Sequence, residues 1–192
     1  MDFSLPDHVQ ALREEVRRFA EREIRPQVMD WDTHKTFPLE VVRKLGELGL
    51  MGILVPEALG GSGMGYLEYV VAVEELSRVD GSVGITVAAH NSLCTNHILA
   101  MGSPEQHARF LPRLASGEAI GAWALTEPGA GSDAGALTTT GRREGDHWVL
   151  NGTKTFCTHG TVGDVAVVMA RTRPGKGADG ISAFILEKGM AG

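Results

Sequence analysis

The sequence is poor in cysteine, and this scarcity limits the kinds of site that it can form. Its 192 residues include only two cysteines, Cys94 and Cys157, with no CxxC motif and no His/Cys cluster at metal-ligand spacing. A disulfide framework and a metal site are therefore not predicted. Two isolated thiols are typical of a protein from a reducing compartment.

Long apolar runs and an excess of basic charge are also absent. No stretch approaches the ~18 apolar residues that a membrane-spanning helix needs. The first ten residues, MDFSLPDHVQ, are too polar for a secretory signal. The formal net charge of -6 argues against nucleic acid as a partner. Together these features predict a cytoplasmic protein without a membrane span.

Glycine is what the chain has in excess. It has 25 glycines among 192 residues, nearly twice the usual ~7%, and they follow no collagen-like period. The hydrophobic fraction of 43% is enough for a sizeable core. The glycines therefore indicate tight turns and places where a ligand approaches the backbone closely.

The spacing of apolar residues changes from helical to β-like near residue 118. Before it, the pattern predicts five helices, at about 6–26, 39–48, 66–79, 82–101 and 103–115. The first is expected to have Ser4 as its N-cap and to end or kink at Pro26. After it, Asn151-Gly152 predicts a hairpin turn that leads into a strand over 153–158. The predicted fold class is α+β, an all-α domain over 1–117 and an antiparallel β domain over 118–192.

Two motifs in the β region have the chemistry of a ligand site, and each also has an ordinary structural explanation. Residues 126–133 read TEPGAGSD, and their glycines with the Ser132 hydroxyl can hold phosphate oxygens. A dinucleotide-binding helix is not predicted, because only β and turn residues follow. A plain turn remains the alternative here. Two interpretations stay open for the segment FCTHG at 156–160: it lines a planar ligand, or Phe156 belongs to the core.

Three segments together resemble the acyl-CoA dehydrogenases: WALTEPGAGSD at 123–133, WVLNGTK at 148–154 and FCTHG at 156–160. The helical segments MGSPEQ at 101–106 and FLPRLASG at 110–117 agree, so the resemblance covers essentially the whole chain. It implies an N-terminal helical domain, a middle β domain that is incomplete here, and FAD held mainly by the β domain.

The resemblance also implies which residues form the site. The implied cofactor-binding residues are Trp123, Leu125, Thr126, Gly131, Ser132, Phe156 and Thr158. The implied substrate-binding residues are Ser132, Ile85 and Ala89. Phe156 stands where most relatives have tryptophan against the flavin ring, and Thr158 matches a hydroxyl beside flavin N5.

The implied activity is FAD-dependent α,β-dehydrogenation of an acyl-CoA thioester, closest to the short-chain or butyryl type. A carboxylate takes the α-proton while the β-hydrogen leaves as hydride. In this family the base lies in a C-terminal helical domain, so no catalytic residue is assigned within this chain. The expected partners are acyl-CoA, an electron-transfer flavoprotein as acceptor, and further copies in a homodimer or homotetramer.

Two other interpretations stay open at this point. A flavin-dependent acyl-CoA oxidase or nitroalkane oxidase relative would carry the same motifs, and oxygen reactivity of the reduced flavin would separate them. A non-catalytic binding fragment, or a partner subunit that supplies half a site, is the non-enzyme alternative.

Overall fold

One of two units in the computed structural model is helical and the other is built on a sheet, which confirms the α+β class. The structure describes residues 4–175 and 177–191. The units are Met1–Ala119 and Ile120–Gly192. Residues 1–3 lie outside the described residues. They belong to the ten-residue segment MDFSLPDHVQ, which is too polar for a secretory signal. The domain boundary at 117/118 stays a prediction.

The described residues of the first unit form seven α-helices. These are α1 Asp7–Phe19, α2 Val28–His34, α3 Leu39–Glu47, α4 Tyr66–Ser77, α5 Gly81–Ala89, α6 Asn96–Met101 and α7 Pro104–Ala115. Two π-helical stretches, Ala20–Ile24 and His90–Thr95, continue α1 and join α5 to α6. Apolar side chains at helical spacing build the core, among them the fully buried Leu45, Ile53, Leu76, Leu111 and Leu114.

The predicted start of the fifth helix is confirmed, whereas the predicted N-cap of the first helix is wrong. Ser103 Oγ accepts from Gln106 N at 3.3 Å, and Gln106 Oε1 accepts from Ser103 N at 2.8 Å, a complete capping box ahead of α7. The residue before α1 is Pro6, so Ser4 is not its N-cap. Pro26 lies in a 3-10 turn, which tolerates its missing N–H, between the helical stretch that ends at Ile24 and α2, so the predicted break at Pro26 is confirmed.

The second unit contains a mixed five-stranded sheet, so the expectation of a wholly antiparallel domain is wrong. Its strands are β1 Gly121–Ala124, β2 Thr140–Glu144, β3 His147–Asn151, β4 Val165–Arg171 and β5 Ile181–Glu187. β2 pairs antiparallel with β3, and β4 pairs antiparallel with β5. β4 pairs in parallel with β1, and at its last residue with β2. Parallel pairing requires a crossover, and the chain between β1 and β4 supplies one.

The predicted hairpin at Asn151-Gly152 is also wrong. The turn lies instead between Glu144 and His147, which are paired at the end of β2 and β3. Gly152 is required for a different reason, because a Cβ at this position would lie 2.3 Å from Thr139 Oγ1. Residues 153–158 leave the sheet and form no strand.

Candidate functional site

The end of β1 and the segment after β3 lie side by side in the second unit. The backbone N–H of Thr155 donates to Thr126 O at 2.8 Å, and Cys157 Sγ donates to Trp123 O at 3.3 Å. These bonds hold the WALT segment (123–126) against the FCT segment (156–158). The structure therefore brings together the two groups of predicted flavin-ring residues, although they are far apart in sequence.

A buried carboxylate, Glu127, fixes the loop that follows β1. Its side chain is 3% exposed. Oε2 accepts from Thr138 N at 2.6 Å and from Thr138 Oγ1 at 2.7 Å, while Oε1 accepts from Thr139 N at 2.9 Å. Lys154 Nζ lies 2.8 Å from Oε1 and also donates to Leu125 O at 3.0 Å. Lys154 thereby ties both segments of the site together.

The charge of Glu127 is stable in this setting. Burial alone would raise the pKa of its carboxyl, but the hydrogen bonds from Lys154, Thr139 and Thr138 overcome that effect and hold the pKa well below its usual range. Glu127 is therefore a permanently ionised anchor and not a general base. Sequence reasoning missed this role, because nothing in the spacing links Glu127 to Lys154.

The glycine-rich part of the loop exposes its backbone. Glu127 and Ala130 exchange backbone hydrogen bonds at 3.0 and 3.1 Å, which makes residues 127–130 a tight turn. A Cβ added at Gly129 or Gly131 would meet nothing within 4 Å. Ser132 is exposed at the end of this turn. Uncovered N–H groups beside a hydroxyl are suited to phosphate oxygens.

Phe156 is displayed to solvent, so the core position considered for it is wrong. Its side chain is 94% exposed, and its backbone has a φ of 52°, a left-handed conformation that is uncommon for an aromatic residue. Thr158 is half-buried nearby in sequence. The indole Nε1 of Trp123 is buried and has no hydrogen-bond partner among the described residues. An outward aromatic ring fits the face of a planar ligand.

His159 completes the contact between the two segments. Its Nδ1 lies 2.8 Å from Gly121 O, and the side chain is 8% exposed. Burial lowers the pKa of the imidazole more than the bond to the Gly121 carbonyl raises it. The histidine is therefore neutral at pH 7 and acts as a structural tie.

The two predicted acyl-pocket residues belong to the helical unit. Ile85 and Ala89 lie one turn apart on α5, where Ile85 is 56% exposed and Ala89 is 6% exposed. Their role in substrate binding stays a prediction.

Membrane-spanning helices and metal-binding clusters are both absent from the residues that the structure describes. No helix in 4–175 or 177–191 is long and apolar enough to cross a membrane. In the same ranges, no three His, Cys, Asp or Glu side chains are grouped so that they could hold a metal ion.

Two family models match the chain in succession. They are the acyl-CoA dehydrogenase N-terminal domain, over residues 6–118, and the acyl-CoA dehydrogenase middle domain, over residues 122–192. The short-chain specific acyl-CoA dehydrogenase of Clostridium acetobutylicum is 48% identical over 192 residues, which are 100% of this chain and 51% of that relative. The chain thus spans about half the length of the curated relatives that it matches.

Solved structures agree with this match. Butyryl-CoA dehydrogenase from Megasphaera elsdenii has a TM-score of 0.92 and 39% identity, over 98% of this chain and 50% of that one. A chain in the structure of the electron transferring flavoprotein of Acidaminococcus fermentans has a TM-score of 0.95 and 45% identity, over 99% of this chain and 50% of that one. With family models matching both units, the chain belongs to the acyl-CoA dehydrogenase family.

Proposed function

We propose that this chain provides the flavin-binding part of an enzyme that dehydrogenates short-chain acyl-CoA thioesters between the α and β carbons. The observation that carries the proposal is the contact between the WALT and FCT segments, which gathers the predicted flavin-ring residues at one place. The 48% identity to a short-chain specific acyl-CoA dehydrogenase supports the substrate class.

The residues present fit FAD. Phe156 offers an exposed aromatic face for the ring system, and Trp123, Leu125 and Thr126 lie across the contact from it in the paired segment. The open backbone at Gly131 and the exposed Ser132 hydroxyl suit the pyrophosphate. When bound, FAD supplies the hydride-accepting chemistry of the reaction.

The chain's own residues bind and orient, and they do not move the substrate proton. Thr158 and Thr126 would offer hydroxyl groups to the polar edge of the ring. Ser132, with Ile85 and Ala89, would contact the acyl-CoA. Glu127 is unsuited to proton abstraction, since its carboxylate is fully engaged by Lys154 and the backbone of residues 138 and 139. The base is therefore expected outside this chain.

The wider setting is proposed from the same family membership. We expect an electron-transfer flavoprotein as the acceptor, a homodimer or homotetramer as the assembly, a cytoplasmic location, and a role in fatty acid metabolism. No nucleic-acid partner is expected, in keeping with the net charge of -6.

Flavin binding by the 192-residue chain tests the proposal. Fluorescence titration with FAD should give saturable binding, and Phe156→Ala should weaken it about tenfold, the cost of one lost aromatic contact. Val149→Ala, at a 40% exposed position on β3, is the matched control and should bind as the parent does. Equal affinity for the parent and Phe156→Ala would contradict the assignment.

A turnover measurement tests whether this chain contains the catalytic base. Butyryl-CoA should not bleach the flavin bound to this chain, because the base is expected outside it. Bleaching at a rate comparable to turnover would show that a base lies within the chain after all.

A further inference from the structure

A pocket of about 330 Å³ in the second unit is lined by a concentration of arginine. Residues 120–192 contain four arginines, and three of them, Arg142, Arg171 and Arg173, line this pocket. It lies where the start of β2 meets the end of β4, at the pairing of Thr140 with Arg171. A local excess of positive charge is notable in a chain whose net charge is -6.

Arg171 is held in the pocket wall by carbonyl oxygens and by no carboxylate among the described residues. Its Nη1 donates to Asp179 O at 2.9 Å, and its Nη2 donates to Gly135 O at 2.7 Å and to Gly177 O at 3.2 Å. Neutral acceptors orient the guanidinium and leave its positive charge uncompensated. Because Gly135 follows Ser132 by three residues, this contact also joins the pocket to the TEPGAGSD loop.

The guanidinium groups of Arg142 and Arg173 are not engaged by the fold. Both are exposed, and within residues 4–175 and 177–191 neither side chain forms an ion pair or a hydrogen bond. Arg143 differs from its neighbour, because its Nε donates to Gly145 O at 3.2 Å and it does not line the pocket. Like charges around one cavity repel each other, and an anion relieves that repulsion.

We propose that this pocket binds a phosphate group, with Arg142 and Arg173 as the contacting residues and Arg171 as the fixed charge behind them. The planar guanidinium fork matches phosphate oxygens in a bidentate fashion, and charge-assisted hydrogen bonds of this kind are the strong ones. Thr140 also lines the pocket, and its hydroxyl donates to Asn151 O at 3.4 Å. A single carboxylate would leave more of the positive charge unbalanced than a phosphate does.

Two sources offer this chemistry. The first is the adenosine end of coenzyme A, which carries a 3′-phosphate and a diphosphate, and this source rests on the proposed function. The second is a free nucleotide or inorganic phosphate, which does not. The proximity of the pocket to the loop of Ser132 favours coenzyme A.

Calorimetric titration of the 192-residue chain at low ionic strength tests the pocket. The probes are coenzyme A, dephospho-coenzyme A, pantetheine and inorganic phosphate, and the variants are Arg142→Gln and Arg173→Gln. Each variant should bind coenzyme A about tenfold more weakly than the parent, the equivalent of one lost charge-assisted contact. Arg143→Gln removes the same charge one residue away and should stay within about twofold, since exposed charges outside a site contribute little.

The probes distinguish the sources. If coenzyme A is the ligand, dephospho-coenzyme A and pantetheine should bind the parent more weakly and respond less to the two variants. Arginine-dependent binding of inorganic phosphate, without preference for coenzyme A, would assign the pocket to a free phosphate. Equal binding of every probe by the parent, Arg142→Gln and Arg173→Gln would overturn the proposal.

The flavin titration shows whether a negative result contradicts the phosphate pocket or the proposed function. Intact FAD binding together with no arginine effect on any phosphate probe overturns the pocket alone. Absence of FAD binding together with arginine-dependent phosphate binding overturns the proposed function alone. Matching thermal unfolding of parent and variants shows that the fold is unchanged, as expected for side chains that form no hydrogen bond or ion pair in the described structure.

Discussion

Replacing Glu127 with glutamine should destabilise the second unit substantially, even though the two side chains have nearly the same shape. The carboxylate of Glu127 accepts four hydrogen bonds, from Thr138 N, Thr138 Oγ1, Thr139 N and Lys154 Nζ. An amide offers one acceptor oxygen, so its NH₂ group would face at least one of these donors. It would also leave the ammonium group of Lys154 without its counter-charge.

The size of the effect follows from these contacts. Removing one partner of a buried ion pair costs about 3–5 kcal/mol, and each buried donor left without an acceptor costs ~1–3 kcal/mol. These figures overlap because they describe the same donors, so we expect a loss of about 4 kcal/mol. At roughly 2–4 °C per kcal/mol for a chain of this size, the melting temperature should fall by about 10 °C.

Urea unfolding followed by tryptophan fluorescence measures this loss. Trp31 belongs to the helical unit, so a Trp31→Phe background leaves Trp123 and Trp148 as reporters of the second unit. Glu144→Gln, at the exposed end of β2, is the matched control and should change stability by less than ~0.5 kcal/mol.

The double variant Glu127→Gln/Lys154→Met tests the reasoning further. It should be less destabilised than the sum of its single changes, because removing both charges leaves neither one buried and unpaired. A loss below ~1 kcal/mol in Glu127→Gln, or strict additivity in the double variant, would refute the anchor role.

Two further changes test other parts of the fold. Glu75 is buried, and its pKa is lowered from 4.5 to about 2, chiefly by the hydrogen bonds from Arg17. Its contribution, at most ~3 kcal/mol, should be fully present above pH ~5 and be lost as the pH falls towards 2. Glu75→Gln should therefore flatten the dependence of unfolding free energy on pH in this range, and an unchanged acid limb would contradict the assignment. Gly152→Ala places a Cβ 2.3 Å from Thr139 Oγ1 and 2.7 Å from Thr139 Cα, and should cost ~2 kcal/mol. Gly129→Ala meets nothing within 4 Å and should leave the urea midpoint unchanged; equal midpoints for both variants would count against the close contact.

The sequence predicted those features that depend on interactions between residues close together in the chain. The start of α7 was predicted because a serine cap, a proline and a glutamine act within one turn of helix. The α+β class was predicted because helical and strand periodicity depend on the spacing of neighbouring apolar residues. The break at Pro26 was predicted for the same reason, since proline lacks the N–H that a continuing helix needs, and a 3-10 turn separates the first helical stretch from α2.

At Asn151-Gly152, tertiary contacts outweigh the local preference of the dipeptide for a hairpin turn. In isolation the pair favours a hairpin. In the folded unit, Gly152 is required by the close approach of Thr139, and β3 has already been paired with β2 through an earlier turn. Nothing in the dipeptide itself distinguishes these two uses of glycine.

By itself, the sequence determined the fold class and the capped helix α7, because these depend on residue type and short spacing. Its motifs also carry the family resemblance, and that resemblance implies the candidate flavin residues. Only the tertiary structure decided that the WALT and FCT segments touch, that Glu127 and Lys154 anchor them, that Phe156 is exposed, and that three arginines share a pocket. Those features depend on contacts between residues distant along the chain, and such contacts arise from the packing of the whole unit.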